Sequence, residues 1–224
     1  MIDDDKSAAA AAAVEEVRAG MCVGLGTGST AAHAVRLLGK RVAAGLSIRA
    51  VATSDATARL AALCGIGVVD FADVTRIDLT IDGADEIDDD LRAIKGAGGA
   101  MLREKVVAAA ARRMIVIADA SKRRRAIGAA PVPVEVLPFA RAFVVDRLAT
   151  LGATVTVRDG YRTDGGNLVA DCAFAAMLDP QALASAIGAI PGALGHGLFL
   201  TEVDAAYIAH DGVVTRLERS HLPR

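Results

Sequence analysis

The segment Met21–Thr30, MCVGLGTGST, decides the fold class of this chain. Its first five residues form a short apolar run that predicts a buried strand. Two glycines and three hydroxyl residues follow, and a helical pattern starts at about Thr30 and continues to Arg41. Glycines let a backbone approach an anion closely, and a helix N-terminus offers unpaired N–H groups. The segment therefore predicts a strand–loop–helix junction that holds an anion, while a tight turn with Ser29 or Thr30 as the helix cap explains it equally well.

Short apolar runs and helical patterns alternate on both sides of this junction. Further helices are predicted over Asp3–Ala19, Asp55–Cys64 and Gly99–Ala111. Further strands are predicted over Ile48–Thr53, Gly67–Asp70, Leu79–Asp82 and Met114–Ala118. The alternation predicts right-handed crossovers and an α/β fold with a doubly wound, mostly parallel, Rossmann-like sheet. Ligands of such sheets bind at the carboxyl ends of the strands.

The pattern changes after Pro131-Val132-Pro133. From there the predicted order is strand, helix, hairpin of two strands, helix and strand, over Val134–Leu137, Phe139–Leu151, Ala153–Val157, Leu168–Phe174, Pro180–Ala189 and Gly195–Leu200. This βαββαβ order is typical of a small ferredoxin-like α+β domain. We assign residues 131–200 to that domain, and residues 1–130 plus 201–224 to a catalytic Rossmann-like domain. Two strands of the tail, Ala205–Ala209 and Val213–Leu217, are expected to return to the first sheet.

Composition and charge exclude several classes of function. A net charge of -2, 3% aromatic residues and no Trp supply neither the basic surface nor the stacking platforms of a nucleic-acid-binding protein. The acidic start, Asp3 to Asp5, does not fit a signal peptide, and no apolar run approaches the roughly 20 residues of a membrane span. We therefore expect a cytoplasmic enzyme or binding protein with no nucleic-acid partner and no membrane contact.

The cysteines and histidines form no metal-binding or disulfide pattern. No C-x-x-C spacing occurs among the three cysteines, Cys22, Cys64 and Cys172. No ligand spacing occurs among the four histidines, His33, His196, His210 and His221. We therefore expect no bound metal ion and no disulfide framework.

A second candidate functional loop follows the apolar strand that ends at Ile81. Residues 82–88 read DGADEID. Several carboxylates at the end of a buried strand repel one another and resist ionisation unless a cation or hydrogen bonds hold them. A plain turn needs one Asp and the Gly alone, so a functional interpretation is favoured for Asp82 and Asp85. Glu86 and Asp88 to Asp90 are expected to be solvated.

A third loop, residues 95–105, reads KGAGGAMLREK. Lysine is scarce in this chain, and Lys95 is a compact cation suited to an oxyanion or to a neighbouring carboxylate. Glu104 lies in the first turns of the helix that follows the glycines. For Glu104 taken alone, an ordinary early-helix acid favoured by the helix dipole is the stronger interpretation.

A fourth loop, Asp119-Ala120-Ser121-Lys122, follows the strand Met114–Ala118. Lys122 suits a phosphate or a carboxylate network, and a capped turn explains the segment equally well. The outer arginines of the short run that follows, Arg123 to Arg125, are expected to form a solvated face. Because the carboxyl ends of parallel strands share one rim of the sheet, the four loops together predict a single site.

Taken together, these motifs resemble the type A ribose-5-phosphate isomerases. The matching blocks are GLGTGST (24–30), TSD (53–55), DGADE (82–86), KGAGG (95–99), REK (103–105) and DASK (119–122), and the likeness continues through PVEV (133–136) and GLF (197–199). Two features depart from the family pattern. Ala97 stands where family members usually have Gly, and the tail around Thr201–Asp204 is less similar.

The resemblance implies an aldose–ketose isomerase that interconverts ribose 5-phosphate and ribulose 5-phosphate in the pentose phosphate pathway. Glu104 would move a proton between the first two carbons of the open-chain sugar, Asp82 and Asp85 would shuttle protons among hydroxyls and assist ring opening, and Lys95 would stabilise the enediolate oxygen. The residues implied to bind the sugar phosphate are Thr27, Gly28, Ser29, Thr30, Gly83, Ala84, Gly96, Ala97, Gly98, Lys122 and Lys6. The family further implies a homodimer and a reaction that uses neither metal nor cofactor.

Three other classes of function compete with this interpretation. One is another sugar enzyme on a related scaffold, such as an amino-sugar phosphate deaminase, a lactonase or a coenzyme A transferase. A second is a non-catalytic sugar-phosphate sensor, although the chain has no basic segment to serve as a DNA-binding domain. A third is a dinucleotide-binding protein, which needs the G-x-G-x-x-G spacing and an acidic end to the second strand. The chain has neither feature: its glycine loop reads GLGTGST, and its second strand ends in Thr53-Ser54.

Overall fold

A computed structural model of the chain describes residues 2–219. In this part of the chain six α-helices occur, α1 (Ile2–Val14), α2 (Ser29–Ala43), α3 (Asp55–Leu63), α4 (Met101–Ala110), α5 (Arg141–Thr150) and α6 (Pro180–Gly188). The strands are β1 (Cys22–Leu25), β2 (Arg49–Ala52), β3 (Leu79–Gly83), β4 (Glu86–Asp88), β5 (Ala93–Ile94), β6 (Met114–Asp119), β7 (Arg123–Arg124), β8 (Val132–Val136), β9 (Ala153–Val157), β10 (Leu168–Phe174), β11 (Ala193–His196), β12 (Leu198–Phe199), β13 (Ala205–His210) and β14 (Val213–Glu218). Short 3₁₀ turns cover Phe71–Asp73, Ala120–Lys122 and Pro138–Ala140.

The central sheet has six strands in the order β14-β13-β6-β3-β1-β2. All neighbours are parallel except the terminal β13–β14 hairpin. The register aligns Leu25 with Ile81 and Gly83 with Ile117, so β1, β3 and β6 end along one rim. The predicted doubly wound sheet, and the return of the tail to it, are therefore confirmed.

Helices cover both faces of this sheet. Alternate residues of β6 point to opposite faces, because strand side chains repeat every two residues. Ile115 and Ile117 belong to the core that α1 and α2 cover. Met114 and Val116 belong to the core on the other face, which includes Ala108 of α4. The rim at the carboxyl ends is left open between these layers for a ligand.

The second sheet has the antiparallel order β11-β8-β10-β9. Together with α5 and α6 it follows the predicted βαββαβ order, and its strand order is that of a ferredoxin-like unit. Its core combines strand valines with helix residues such as Val144, Leu148 and Ile187. The small α+β unit is therefore confirmed as part of the fold class.

A third sheet of very short strands, β12-β5-β4-β7, was not predicted. The strand predicted over Gly195–Leu200 is wrong in its extent, because β11 pairs with β8 whereas β12 turns away to pair with β5. Gly197 permits this break, since a Cβ there would lie 2.0 Å from the Lys95 carbonyl oxygen. The Lys95 N–H donates to the Gly197 carbonyl at 2.9 Å. This sheet therefore fixes the backbone from which Lys95 projects.

Two further predictions of secondary structure are wrong. Of the strand predicted over Gly67–Asp70, the structure retains a single bridge from Val68 to Ala50. Asp70 ends the extension, because its carboxylate accepts from Ala72 N at 3.0 Å and caps a 3₁₀ turn. The helix predicted to reach Ala19 ends at Val14. No helix among residues 2–219 is both long and apolar enough to cross a membrane.

The expectation that Glu86 and Asp88 are solvated is also wrong. Glu86 is buried because its carboxylate accepts three backbone N–H groups, from residues 128–130, and pairs with Arg124 at 3.2 Å. Asp88 is buried because it accepts the N–H and the guanidinium of Arg92. Asp89 and Asp90 are exposed as expected, and so are the side chains of Arg123 to Arg125.

Candidate active site

The glycine loop after β1 delivers a helix N-terminus to the rim of the central sheet. Gly28 precedes the first helical residue of α2 with φ +111, a value that L side chains rarely adopt. Gly28, rather than Ser29 or Thr30, therefore occupies the capping position, and the capping interpretation of those two residues is wrong. The Ser29 hydroxyl instead accepts from Lys6 Nζ of α1 at 3.0 Å. The open first turn and the lysine together suit a phosphate.

Thr27 links the glycine loop to the segment 53–57 and to Asp82. Its hydroxyl lies 2.8 Å from Thr53 Oγ1, 2.8 Å from Ser54 Oγ and 3.1 Å from Thr57 Oγ1. Its backbone N–H donates to Asp82 Oδ1 at 3.1 Å. The threonine hydroxyl is thus engaged by the protein, and its network orders the loop.

Three ionisable side chains meet beneath the loop, each almost completely buried. Lys95 Nζ lies 3.0 Å from Asp82 Oδ2 and 3.3 Å from Glu104 Oε2, and it also donates to the Gly83 carbonyl. The second Asp82 oxygen accepts from Gly83 N at 2.7 Å as well as from Thr27 N. Gly26 makes this approach possible, because a Cβ there would lie 2.1 Å from Asp82 Oδ1.

The electrostatics of this cluster leave one carboxyl group short of a counter-charge. Burial raises the pKa of Glu104, the charge of Asp82 raises it further, and Lys95 opposes both, so the pKa lies at about 8. Burial also raises the pKa of Asp82, although Lys95 and two backbone N–H groups act against it. Burial alone would lower the pKa of Lys95, but Asp82 and Glu104 outweigh it and raise that pKa. One ammonium thus faces two carboxyl groups, and Glu104 takes up a proton near neutral pH.

One oxygen of Glu104 is buried with few partners. Its Oε2 is inaccessible to solvent, accepts no hydrogen bond from the described residues and lies 3.3 Å from the Lys95 ammonium. Buried carboxylate oxygens are usually hydrogen-bonded, so a buried carboxyl group held in this way, on a residue that lines the cleft, is a functional candidate. Glu104 does lie in the first turn of α4, as the early-helix interpretation has it, but its side chain is 4% exposed and pairs with Lys95.

The loop after Lys95 forms the opposite wall. Asp85, half-buried, accepts from Ala97 N at 2.8 Å. Gly96 has φ +107, and a Cβ there would lie 2.8 Å from Met101 Cβ, so glycine is required at this position. Ala97 is not among the non-glycine residues with positive φ. The methyl group at the position where the family pattern has glycine is therefore tolerated.

A cleft of about 260 Å³ brings the predicted residues together. Its lining comprises Lys6, Thr27, Gly28, Ser29, Thr30, Gly83, Ala84, Asp85, Lys95, Gly96, Ala97, Gly98, Glu104 and Lys122. Asp82 lies behind Lys95 rather than in the wall. Lys122 is the last residue of a 3₁₀ turn that Asp119 caps by accepting from Ser121 N at 3.0 Å, so the predicted capped turn is confirmed, and Lys122 lies in the lining of the cleft. A larger, mostly apolar groove of about 750 Å³ lies beside α3 and α4, and no predicted site residue lines it.

Sequence reasoning missed three side chains next to the cleft. Phe199 is fully buried, and its ring centre lies 5.5 Å from Lys95 Nζ and 4.0 Å from Lys105 Nζ. Arg158 and Tyr161, from the small unit, donate to carbonyls of the loop after Lys95. The only sequence signal was that Phe199 belongs to a motif of the resemblance; Arg158 and Tyr161 carried none.

The described histidines lie outside the cleft. Burial, followed by the charge of Lys105, lowers the pKa of His196 to about 4, and its Nδ1 accepts from Leu198 N at 3.3 Å. His210 lies near Asp5 and Asp211, but the Asp5 carboxylate is engaged by the turn that follows β13. His221 lies outside the described residues.

A buried acid with a pKa near neutrality, an ammonium beside it and a lysine-flanked glycine loop occupy one rim of a doubly wound sheet. Fold and site thus define an α/β enzyme that transfers protons on a small anionic substrate. The family model of ribose 5-phosphate isomerase A (phosphoriboisomerase A) matches residues 49–212. The chain belongs to this family, as the sequence motifs predicted.

Individual relatives match along nearly the whole chain. Ribose-5-phosphate isomerase A of Sphingopyxis alaskensis is 53% identical over 214 residues, which cover 94% of each chain. The protein of the same name from Parvibaculum lavamentivorans is 47% identical, covering 93% of this chain and 95% of its own. The crystal structure of ribose 5 phosphate isomerase A from Neisseria gonorrhoeae superposes with a TM-score of 0.94 at 35% identity, covering 99% of both chains. A D-ribose-5-phosphate isomerase in complex with phospho-erythronic acid gives a TM-score of 0.94 at 33% identity, covering 98% of this chain and all of the other.

Proposed function

We propose that the protein interconverts ribose 5-phosphate and ribulose 5-phosphate, with Glu104 as the general base. The observation that carries this proposal is the buried Glu104 side chain in the lining of the cleft, with its Oε2 3.3 Å from the Lys95 ammonium and without a hydrogen bond from the described residues. A base with a pKa close to the working pH combines a usable ionised fraction with useful basicity. The identity of the substrate is inferred from membership of the ribose 5-phosphate isomerase A family.

The phosphate would bind between the helix N-terminus and the two lysines of the cleft wall. Lys6 already reaches Ser29, and Lys122 lies in the same wall. Two ammonium groups and the free N–H groups of α2 complement a dianion. The open-chain carbon skeleton would then extend towards Lys95 and Glu104.

Proton transfer follows from this placement. The Glu104 carboxylate takes the proton from C2 of the aldose, and electrons of that bond form the C1–C2 double bond of a cis-enediolate while negative charge moves to O1. The Lys95 ammonium stabilises that oxyanion, a role worth about 10²- to 10³-fold in rate for one donor. Glu104 then returns the proton to C1, and the proton of the O2 hydroxyl passes to O1 as the ketone forms. The reverse reaction uses the same steps.

The two aspartates have different surroundings, which supports different roles. Asp85 lines the cleft and would exchange protons directly with the sugar hydroxyls and assist ring opening. Asp82 is buried behind the ammonium and would act on the substrate through Lys95. Thr27 to Thr30, Gly83, Ala84 and Gly96 to Gly98 would hold the substrate from the two walls.

We also propose that two copies of the chain form a homodimer. Leu137, Phe139 and Phe143 are exposed on the small unit, with Phe139 exposed to 96%. Phe139 lies in the 3₁₀ turn Pro138–Ala140, and Phe143 lies in the first turn of α5, which follows directly. Exposed large apolar side chains that occur close together in this way are typical of interaction surfaces. The cytoplasmic location, the role in the pentose phosphate pathway and the division at residues 130/131 and 200/201 are further parts of the proposal.

The test is ketose formation from ribose 5-phosphate with excess chelator, in the wild type and in Glu104→Gln. Removing the base should reduce turnover by about 10²- to 10⁴-fold while the fold is retained. Glu15→Gln is the matched control, since Glu15 is exposed on the turn after α1 and should leave turnover unchanged.

Binding of phospho-erythronic acid, measured by calorimetry, separates the alternatives. Wild-type turnover with retained binding in Glu104→Gln supports the proposal. Binding without any wild-type turnover would assign the chain to the non-catalytic sensors. Normal turnover by Glu104→Gln would remove Glu104 as the base.

A further inference from the structure

The loop Gly96–Gly98 is held from outside the catalytic cleft. Arg158 Nη2 donates to the Gly96 carbonyl at 3.1 Å, and Nη1 donates to the Ala97 carbonyl at 2.9 Å. Tyr161 Oη donates to the Gly98 carbonyl at 2.9 Å. All three successive carbonyls of the loop therefore have a side-chain partner from one hairpin of the small α+β unit.

We infer that Arg158 and Tyr161 are positioning residues, which orient the glycine loop so that its N–H groups face Asp85 and the substrate. The inference rests on the proposed function, in which this loop is a wall of the substrate cleft. It assigns a catalytic purpose to the small unit, which contributes no residue to the ionisable cluster.

The argument starts from the geometry of the peptide bond. In a trans peptide the C=O of one residue and the N–H of the next lie in one plane and point in opposite directions. Arg158 holds the Gly96 oxygen at one edge of such a plane, and Asp85 accepts the Ala97 N–H at the opposite edge, at 2.8 Å. The guanidinium and the carboxylate thus hold one peptide group from its two edges, and Arg158 fixes the partner of Asp85.

The next peptide plane extends the argument to the substrate. Arg158 also holds the Ala97 oxygen, so the Gly98 N–H must point away from the guanidinium. No backbone or side-chain acceptor among residues 2–219 uses the Gly98 N–H. Gly98 lines the cleft and is exposed. A fixed and unused donor in the wall is available to a sugar oxygen.

The guanidinium is itself held rigidly. Arg158 follows β9, and its Nε and Nη2 each donate to the Asp171 carboxylate at 2.7 Å across the hairpin, on β10. Such a bidentate pair fixes the plane of the guanidinium as well as its position. Because Nη1 and Nη2 also reach the two carbonyls, one planar group connects β10 to the glycine loop. Lysine has no equivalent geometry.

Tyr161 meets the loop at a position that only glycine allows. Gly99 has φ +77, and a Cβ there would lie 2.1 Å from the Tyr161 hydroxyl oxygen. The tyrosine ring centre is 5.6 Å from the Arg158 guanidinium carbon, within the range of a cation–π contact. The two side chains therefore brace each other as well as the loop.

The first test measures the loop itself, by amide hydrogen exchange of the peptide that covers residues 95–101. Arg158→Met should speed exchange in this segment, with the exchange of β1, β3 and β6 unchanged. Arg162→Met is the matched control, because Arg162 is exposed on the same hairpin and its guanidinium donates to the carbonyl of its neighbour Tyr161. Unchanged exchange in Arg158→Met would overturn the inference, and this readout does not depend on turnover.

The second test uses ribose 5-phosphate kinetics. Misplacing a binding wall by about 1 Å costs up to about 100-fold, so Arg158→Met should raise KM about 10- to 100-fold. Its kcat should fall less, and the pH midpoint of kcat should not move, since Arg158 has no contact with Glu104. Tyr161→Phe, which loses one of three contacts, should raise KM less than Arg158→Met. A KM equal to that of Arg162→Met would overturn the inference.

Chemical rescue separates positioning from general destabilisation. Millimolar guanidinium should lower the raised KM of Arg158→Ala, because the ion can occupy the space of the lost group beside Asp171. A merely destabilised fold would not improve with guanidinium, so absence of rescue in a folded Arg158→Ala contradicts the inference. If Arg158→Ala does not fold, Arg158→Lys takes its place: it keeps the charge but should retain the raised KM, and a normal KM would overturn the inference. An inactive wild type with faster loop exchange in Arg158→Met would overturn the proposed function and leave the positioning intact.

Discussion

Lys95 Nζ lies 3.0 Å from Asp82 Oδ2 and 3.3 Å from Glu104 Oε2, so the ammonium is held unequally between two buried carboxyl groups. Asp82 has two further backbone donors, whereas Glu104 Oε2 has no hydrogen bond from the described residues. The asymmetry separates the two acids: Asp82 holds the lysine, and the weaker hold on Glu104 supports its proposed role in exchanging a proton with a ligand.

The first prediction concerns Lys95→Met. The variant removes the charge proposed to stabilise the developing oxyanion, while Lys6 and Lys122, the lysines proposed to bind the phosphate, are unchanged. We expect kcat to fall about 10²- to 10³-fold with a small change in KM. Steady-state kinetics on ribose 5-phosphate measure this, beside Lys40→Met, which removes an exposed lysine from α2 and should behave as wild type. A raised KM with normal kcat would instead assign Lys95 to substrate holding.

The second prediction concerns pH. The proposed base, Glu104, would act in its ionised form, and burial together with Asp82 raises its pKa to about 8. Below that pKa the group is protonated and inactive as a base, so kcat/KM should rise with pH and level off above about 8. Because the neighbouring carboxyl and ammonium titrate with it, the midpoint belongs to the cluster. A profile of kcat/KM that is flat between about pH 6 and 9 would contradict the assignment of Glu104 as the general base.

The central sheet and the catalytic rim could be predicted from the sequence because each strand is a distinct apolar run. Parallel strands bring their carboxyl ends to one rim, so Asp82, Lys95, Glu104 and the glycine loop could be assigned to one site before any contact was known. The family resemblance added the roles. The structure brings these residues to within a few ångströms of one another.

Other features could not be predicted, for identifiable reasons. Strands of two or three residues, such as β5 and β12, are too short to show an alternation of apolar and polar residues. The sequence therefore carries no recognisable pattern for the third sheet. Several acidic residues in a row are typical of a solvent-exposed segment. Glu86 is nevertheless buried, because its carboxylate accepts N–H groups that lie more than 40 residues away in sequence. The contact of Arg158 with the glycine loop spans 61 residues and depends on how the small unit is placed. Long-range contacts of this kind have no local signature.

The third prediction concerns Gly197, which lets β12 approach the backbone of Lys95. A Cβ at this position would lie 2.0 Å from the Lys95 carbonyl oxygen and 2.7 Å from Pro133 Cδ. Gly197→Ala should therefore lower the free energy of unfolding by about 1–3 kcal/mol and reduce turnover, because the displaced backbone carries the ammonium. Denaturant titration measures the first effect and kinetics the second. Gly67→Ala is the control, since Gly67 has open space around it and should tolerate the methyl group; equal stability of the two variants would contradict the expectation.

The fourth prediction concerns assembly. If Phe139 and Phe143 lie in the interface of a homodimer, a charge on this face should oppose association, because burying an unpaired carboxylate is strongly unfavourable. Phe139→Glu with Phe143→Glu should therefore give a monomer by light scattering at a concentration at which the wild type is dimeric. Val213→Glu, which places the same charge on the exposed edge hairpin, should leave the dimer intact. Because the cleft is built from residues of a single chain, the monomer should keep its affinity for phospho-erythronic acid. A wild-type monomer, or a double variant that still dimerises, would remove this face from the interface.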